Sequence, residues 1–404
     1  MTKQAETPET EPVEEASGGA EAQSELPEQP RRWRWLRRAL WGLFLLVDLP
    51  LLVVVAIGLA AGNLHPRLFW SAQLLAIMLP YLVIPTLVAA AVTILMRKWF
   101  WLALHVVLLL LVGLRAFPQE RFGRSIEPAD GDLTLMSFNV PQSGPSAEIL
   151  GDSMIALVLA EEPDIIGLQE SWVEGARSHR PERRPPQIEA VVDSLSYRLA
   201  VPLQMSSQPA WRSNSTAVPL LFREQVGEAE VVEQTAVRLG ESADPDISMA
   251  IRTHFRWQGR EGVLYNIHLR SFGDQKPWNA NIRPFDVGTW WPYLRQYRDV
   301  YRLRAEEVEA LALQIDAEEL PVIVLGDFND TAYTWTFKRL QGDRADAFNV
   351  AGAGSGHTYR SDKPFVRIDF ALVDKAWEVV DAAVPNVRFS DHRPLVVRLR
   401  WRDR

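Results

Sequence analysis

Three long apolar runs occupy the first part of the chain, and shorter apolar runs follow them. The long runs cover residues 39–62, 71–96 and 99–114, and the first two carry a single charged residue, Asp48. About 20 consecutive apolar residues match the hydrocarbon thickness of a bilayer. We therefore predict an N-terminal bundle of about three transmembrane helices. A buried core helix is the alternative for each run, most of all for the short third run.

The pattern changes from about residue 130, where short β-branched runs alternate with helical stretches. This alternation is typical of an α/β domain. The predicted strands cover residues 133–140, 165–168, 217–222, 263–269, 322–325, 368–373 and 395–399, and the predicted helices cover 147–161 and 293–318. The chain is thus interpreted as a tail, a membrane anchor, a linker and a soluble domain, at residues 1–30, 31–116, 117–130 and 131–404.

Charge supports this division of the chain. The formal net charge is −8, but residues 1–30 carry −7, residues 31–124 carry +9 and the remainder carries −10. A tail that is acidic and poor in large apolar residues cannot offset its ordering entropy, so we predict that it is disordered. Five arginines precede the first apolar run, and Arg97 and Lys98 separate the second and third. The positive-inside rule then predicts a cytoplasmic N-terminus. With the three predicted membrane spans, the soluble domain lies outside the cytoplasm. With only two spans it would lie in the cytoplasm.

Polar residues that can bind a metal or a phosphate stand at the ends of the predicted strands. Each alone is more typical of a turn or a helix cap, but six such segments in one chain indicate a site at one sheet edge. Their oxygen donors suit Mg²⁺ or Mn²⁺, with Ca²⁺ as a further possibility. The candidates are Asn139, Glu170, His268, Asp327, Asn329, Asp369, Asp391 and His392.

Several other chemistries are excluded or disfavoured. The chain has no cysteine, which excludes disulfides, thiolate metal sites and cysteine nucleophiles. No Gly-x-Ser-x-Gly elbow is present, which disfavours a serine hydrolase. The glycine-rich stretch 352–356 looks like a nucleotide-binding loop, but it precedes His357-Thr358-Tyr359 and a strand rather than a helix. We interpret it as a flexible loop.

Six segments of this chain resemble, in the same order, the signature of the endonuclease/exonuclease/phosphatase superfamily. They are Asn139, Gln169-Glu170, Asn266-x-His268-Leu269, Gly326-Asp327-Phe328-Asn329, Arg367-Ile368-Asp369 and Ser390-Asp391-His392-x-Pro394. The resemblance runs from about residue 132 to 400 and implies a four-layer α/β/β/α sandwich with metal-dependent phosphoester cleavage. It implies Glu170 as the principal metal ligand, with Asn139 beside it. Asp391 would hold the metal directly or through water.

The same resemblance implies the other catalytic roles. His392 would activate the attacking water, and Asp369 would hold its second ring nitrogen. Asp327 and Asn329 would position the nucleophile and a phosphate oxygen, while His268 donates to the phosphate. Family members differ over whether the aspartate or the histidine is the base, so that choice stays open, as does the choice between one and two metal ions.

Two loops bear on the substrate. One follows Glu170 and is rich in basic residues, and the other follows His268 and is rich in tryptophan. Basic clusters hold phosphates, and tryptophan favours the membrane interface, although a solvated loop and a folded-back lid are the alternatives. The candidate substrate residues are Arg180, Arg183, Arg184, Trp278, Trp290 and Trp291.

The leading hypothesis is a membrane-tethered phosphoesterase that acts on a lipid-linked phosphate, either a phospholipid or a polyprenyl pyrophosphate. Its partners are the lipid bilayer and that phosphorylated substrate, and no protein partner can be inferred. A membrane-anchored extracellular nuclease is the alternative, although a domain with a charge of −10 offers no broad basic face for nucleic acid. A non-enzymatic scaffold is the third hypothesis, which the many converging charges disfavour.

Overall fold

The computed structural model describes residues 31–116, 126–140, 147–174, 184–200, 215–224, 230–240, 248–273, 283 and 286–402. The predicted tail, part of the linker and much of both substrate loops lie outside these residues. By its internal contacts the chain divides into two units, residues 1–49 and 50–404. The N-terminal helices are α1 (Arg31–Ala60), α2 (Pro66–Met78), α3 (Val83–Leu95) and α4 (Trp99–Ala116), with a 3-10 turn at Ala61–Asn63.

The structure differs from the predicted three continuous transmembrane helices at the second run. Residues 34–63 form a helix long and apolar enough to cross a membrane. The run 71–96 is instead split into α2 and α3, which meet at a bend of 79°. The chain breaks at residues 79–82, beside Pro80, because proline lacks the amide hydrogen that a continuing helix needs. Helix α4 is apolar but shorter than the other candidate spans.

Helix α2 packs against the α/β domain through one face. Its residues Ala72 and Ala76 are buried together with Ala61 against Tyr333. The buried amide of Gln73 accepts a hydrogen bond of 2.9 Å from the backbone amide of Trp335, the first residue of a short helix. Near the start of α2, Leu68 is 78% exposed.

Across the described residues, the α/β domain contains two six-stranded sheets. The strands of the first sheet, in spatial order, are β13 (Trp377–Ala383), β14 (Leu395–Trp401), β1 (Leu133–Asn139), β2 (Ile165–Gln169), β6 (Leu220–Arg223) and β4 (Tyr197–Ala200). Those of the second sheet are β11 (Ala345–Asp346), β12 (Asp369–Val373), β10 (Val322–Asp327), β9 (Arg260–His268), β8 (Met249–Trp257) and β7 (Glu230–Ala236). A small separate pair joins β3 (Val173–Glu174) to β5 (Ser215–Thr216).

Helices cover the outer faces of both sheets. Helices α5 (Ala147–Glu161) and α6 (Pro186–Leu195) pack on the first sheet, and α7 (Val287–Asp316) and α8 (Trp335–Gln341) pack on the second. Helix α9 (Ala347–Ala351) contributes Ala347 and Phe348 to the core between the sheets. The four layers predicted from the sequence are confirmed.

Burial explains which strands could be predicted. Strands β1, β2 and β10 are buried at every position, so they read as continuous apolar runs. Strand β7, at an edge, is mostly exposed or half-buried, and its sequence EVVEQTA carries no clear signal. The strands absent from the prediction are β3, β4, β5, β7, β8, β11 and β13. The predicted helix at 147–161 is confirmed, and that at 293–318 begins earlier, at Val287, where the side chain of Asp286 caps it.

Candidate active site

Strand register places the candidate residues at one rim of the sandwich. In the second sheet, Asp327 at the end of β10 pairs with His268 on the parallel strand β9 and with Asp369 on the antiparallel strand β12. In the first sheet, Asn139 pairs with Gln169 at the ends of parallel β1 and β2. Parallel strands deliver their carboxyl ends to the same edge, so both sheets present polar side chains at this rim.

Asn139 connects the two sheets. Its side-chain amide donates to Oε1 of Glu170 at 3.1 Å and to Oδ2 of Asp327 at 3.0 Å. Nε2 of His268 lies 3.6 Å from the same Glu170 oxygen and 3.8 Å from the same Asp327 oxygen. These four residues therefore form one connected polar group across the sandwich.

His392 and Asp369 form the second part of the site. Nδ1 of His392 lies 2.9 Å from Oδ2 of Asp369, and Nε2 lies 3.7 Å from Oδ2 of Asp327. Burial acts to lower the pKa of His392, but the carboxylates of Asp369 and Asp327 outweigh it and raise the pKa to about 10. The two carboxylates thus hold the ring in its imidazolium form near neutral pH.

Asp327 is the buried centre of the group. Burial and the neighbouring Asp369 carboxylate raise its pKa, while His392 and His268 oppose the rise. Its Oδ1 accepts a hydrogen bond of 2.7 Å from the backbone amide of Asn329. The side-chain amide of Asn329 donates to the carbonyl of Leu269 at 2.8 Å and so ties the segment after β10 to the segment after β9.

Backbone conformation at the rim depends on three positions with positive φ. Gly326 has φ 138°, and a Cβ there would lie 2.0 Å from the carbonyl oxygen of Ile267, so only glycine fits. Glu170 and Asn329 adopt φ of 55° and 49° although they are not glycines. Such conformations cost about 1–3 kcal/mol each and are concentrated at functional sites.

The sequence prediction missed three residues that support the site. The hydroxyl of Ser390 donates to the carbonyl of Asn139 at 2.7 Å and accepts from the amide of His392 at 3.1 Å. The hydroxyl of Thr358 accepts from the amides of Ile368 and Asp369. The ring of Tyr359 lies 4.9 Å from the His392 ring, centroid to centroid. Ser390 stands in the signature segment without an assigned role. Thr358 and Tyr359 stand in the stretch His357-Thr358-Tyr359 after the glycine-rich loop, which the sequence alone did not connect with the site.

The remaining candidates are less closely joined. Asp391 is exposed, and its charge contributes to the raised pKa of His392. Arg184 lies 3.9 Å from the carboxylate of Asp193 on α6. Trp290 donates to the carbonyl of Arg283, and Trp291 is 60% exposed near the start of α7. Three further candidates lie outside the described residues: Arg180, Arg183 and Trp278.

The donor set fits a hard divalent cation. Oδ1 of Asn139 and Oδ1 of Asp369 are buried and have no hydrogen-bond partner among the described residues, which a cation or its water would supply. Glu170 extends a half-exposed carboxylate beside the first of them. Asp327, Asp369 and His392 also bring one donor atom each to within 4.8 Å of one another. Carboxylate and amide oxygens are ligands that Mg²⁺, Mn²⁺ and Ca²⁺ accept.

Carboxylates, amides and two histidines at one rim of an α/β/β/α sandwich are suited to metal-dependent hydrolysis. The sequence profile of the Endonuclease/Exonuclease/phosphatase family matches residues 136–392. The chain therefore belongs to this family, whose members are hydrolases that include phosphatases and nucleases and typically depend on a divalent metal. A search of curated proteins finds no match.

The chain is also similar to solved structures that are distant in sequence. An endonuclease/exonuclease/phosphatase from Bacteroides vulgatus is 19% identical, with 67% of this chain and 99% of that chain covered and a TM-score of 0.47. The mannosyl-6-phosphatase of Bacteroides thetaiotaomicron is 17% identical, with 67% and 100% covered and the same TM-score. The human Nocturnin catalytic domain with bound sulfate is 17% identical, with 70% and 99% covered and a TM-score of 0.44.

Proposed function

We propose that this protein is a membrane-tethered, divalent-metal-dependent phosphoesterase whose favoured substrate is lipid-linked, either a phospholipid or a polyprenyl pyrophosphate. The observation that carries the proposal is the packing of helix α2 on the α/β domain. Gln73 accepts from the amide of Trp335, and Arg67 lies 3.0 Å from Glu306 on α7. Apolar helices fixed to a hydrolase domain keep its active site within reach of lipid headgroups.

Exposed apolar side chains support the membrane part of the proposal. On α3, Leu87, Val88 and Leu95 are 52%, 60% and 81% exposed, and on α4 Leu110 and Leu114 are both 61% exposed. Soluble proteins rarely leave large contiguous apolar surfaces in water, whereas a bilayer covers them. The proposal keeps the N-terminus in the cytoplasm, because the arginines cluster before the first apolar run. It keeps the catalytic domain outside, with the bent pair α2–α3 as one broken span and α4 as the third span.

The mechanism assigns one task to each rim residue. Glu170, with Asn139 and Asp391, would hold Mg²⁺ or Mn²⁺, and a bound ion supplies charge stabilisation to the phosphate oxygens. A cation beside Asp327 and Asp369 would offset the two carboxylates that raise the pKa of His392, and the neutral ring would then take the proton of the attacking water at Nε2. Asp369 holds the Nδ1 proton of that ring, which fixes the tautomer and stabilises the imidazolium.

The second sheet positions the other reactants. Oδ2 of Asp327 and Nε2 of His392 point toward one region of the site and are 3.7 Å apart. The aspartate thereby orients the water that the histidine deprotonates. Nε2 of His268 has no hydrogen-bond partner among the described residues and is available to donate to a phosphate oxygen. Asn329 holds Asp327 in place through its backbone amide.

The test is one assay panel on the full-length protein in detergent or vesicles. Sphingomyelin, a phosphoinositide, a polyprenyl pyrophosphate and plasmid DNA are each incubated with and without Mg²⁺, with His392→Ala as the control variant. We expect Mg²⁺-dependent release of phosphate or phosphorylated headgroup from at least one lipid, lowered about 10²–10³-fold in the variant. Full activity on DNA with no release from any lipid would overturn the proposal in favour of a membrane-anchored nuclease.

A further inference from the structure

A cavity of about 200 Å³ lies where the bend between α2 and α3 meets the α/β domain. The bend contributes Ile77, Pro80 and Tyr81, and the segment before β12 contributes Phe365 and Val366. The hydroxyl of Tyr81 donates to the carbonyl of Phe365 and so holds the two walls together. Apolar and aromatic side chains therefore form much of the lining on both walls.

The ring of Tyr359 lies between the catalytic histidine and side chains that line this cavity. Tyr359 is buried in a cluster with Val366 and Ile368, against which Ile77 and Phe365 pack. Its ring also lies 4.9 Å from that of His392, centroid to centroid. A chain attached to a phosphate at His392 would therefore reach the cavity by passing the ring of Tyr359.

Size and chemistry limit the occupant. A site that encloses a complete small ligand usually measures about 300–1,000 Å³, so this smaller cavity fits a segment of a chain rather than a whole molecule. Two arginines also line it. Arg367 pairs with the carboxylate of Asp346, whereas Nε of Arg115 on α4 is buried with no hydrogen-bond partner among the described residues. Apolar side chains together with these cationic groups suit an anionic amphiphile.

We propose that this cavity binds the first part of the hydrocarbon chain of a lipid phosphate while the phosphate is cleaved at His392. The proposal rests on the function proposed above and adds a specificity site to it. The bend between α2 and α3 is then more than a tether, because it forms one wall of the substrate site.

Two positions in the glycine-rich loop give a matched test. Ser355 and Ala353 are both exposed and two residues apart, but only Ser355 lines the cavity. Ser355→Trp fills the cavity from an exposed position, and Ala353→Trp adds the same side chain beside it. The specificity constant kcat/KM is measured on a long-chain lipid phosphate and on water-soluble bis(p-nitrophenyl) phosphate.

We expect Ser355→Trp to lower kcat/KM on the long-chain substrate at least tenfold and on the soluble ester less than twofold. Ala353→Trp should change neither. An equal fall of kcat/KM on both substrates would show that Ser355 affects the reaction itself. An unchanged kcat/KM on both would show that the cavity does not bind the hydrocarbon chain. Both results would overturn the proposal.

A labelling experiment separates this proposal from the proposed function. Hexadecyl phosphate with a diazirine in the first part of its chain is photolysed with the full-length protein, and the adducts are located by mass spectrometry. Adducts at residues 77–81 and 365–367 that disappear in Ser355→Trp support the cavity, even if no lipid is hydrolysed, a result that would overturn the proposed function alone. Lipid hydrolysis with adducts confined to other segments would overturn the cavity and leave the proposed function standing.

Discussion

The side-chain amide of Asn139 in the first sheet donates to the carboxylate of Asp327 in the second sheet at 3.0 Å. This bond crosses the interior of the sandwich at the rim where all the candidate catalytic residues stand. A second connection lies deeper, where Asn266 of β9 donates to the carbonyls of Leu168 and Val218. The two sheets therefore hold the site as one unit, so a displacement of either sheet would separate Asn139 and Glu170 from Asp327 and His268.

The pairing of Asp369 with His392 gives the first prediction. Asp369→Asn keeps the shape but replaces an acceptor for the Nδ1 proton with an amide that can donate to it. We expect kcat to fall about 10–100-fold, as for other residues that orient a catalytic or metal-binding histidine, with KM nearly unchanged. Steady-state kinetics on a soluble phosphodiester measure both parameters.

Asp374 provides a matched control for the Asp369→Asn variant. Asp374 follows β12 at the opposite end of the sandwich, where it accepts from the amide of Val322. Asp374→Asn keeps that acceptor and should leave kcat unchanged. If the two variants lowered kcat equally, the orienting role of Asp369 would be refuted.

The buried carboxyl of Asp164 predicts a pH dependence of stability. Burial raises its pKa from 3.8 to about 6, although it accepts from the amide of Thr134. The folded protein thus binds more protons than the unfolded chain between these values, so stability is lost as the pH rises from about 4 to 6. At ~1.4 kcal/mol per pKa unit, the loss is about 2–3 kcal/mol.

Asp164→Asn can still accept from Thr134 but cannot titrate. Urea unfolding of both proteins in the same detergent, at several values between pH 4 and 7, isolates the contribution. The wild type should lose about 2–3 kcal/mol relative to the variant over this interval. If the free energies of unfolding of the two proteins changed in parallel with pH, the carboxyl of Asp164 would not titrate in the folded state over this interval.

Gly326 gives a prediction about the rim backbone. Gly326→Ala places a methyl group 2.0 Å from the carbonyl of Ile267 and should destabilise the fold by about 3 kcal/mol or more. Gly354 also has a positive φ, 78°, but has open space around it, so Gly354→Ala should cost only about 1–2 kcal/mol. Thermal unfolding of the two variants measures the difference. Similar unfolding midpoints would show that a methyl group at position 326 does not collide with the carbonyl of Ile267.

A buried ion pair behind the site gives a further prediction. Arg304 of α7 and Asp330 lie 3.2 Å apart, and neither side chain is exposed. Arg304→Met leaves the aspartate buried without its countercharge and should cost about 3–5 kcal/mol. Arg298 pairs with Asp299 on the exposed side of the same helix, so Arg298→Met should cost about 0–1 kcal/mol. Equal unfolding midpoints would show that the buried pair contributes nothing.

Much of the fold and most of the rim residues could be predicted from the sequence, for physical reasons. Strands buried on both faces leave continuous apolar runs, and polar residues such as Asn139 and Asp327 stand out at their ends. Edge strands such as β7 lack that contrast. The roles assigned to the rim residues remain predictions, although the structure brings their side chains together.

The bend at residues 79–82 shows where sequence reasoning failed. The run 71–96 has no charge, so its hydropathy alone predicts one continuous span. Its polar residue, Gln73, lies against the amide of Trp335, which is 262 residues away in the sequence. Such a contact depends on the tertiary structure and leaves no periodic signal. The contacts of Thr358 and Tyr359 with the Asp369–His392 pair were missed for the same reason.

The most direct test of the central claim, that one rim of the sandwich is a divalent-metal phosphoesterase site, is a Mg²⁺ titration of phosphodiester hydrolysis by the EDTA-treated protein. Wild type, Glu170→Gln and Asp374→Asn are titrated under the same conditions. The account predicts no hydrolysis without metal, recovery with Mg²⁺ for the wild type and Asp374→Asn, and a rate about 10²–10³-fold lower for Glu170→Gln. Hydrolysis that survives EDTA, or a Glu170→Gln curve that overlies the wild type, would contradict it.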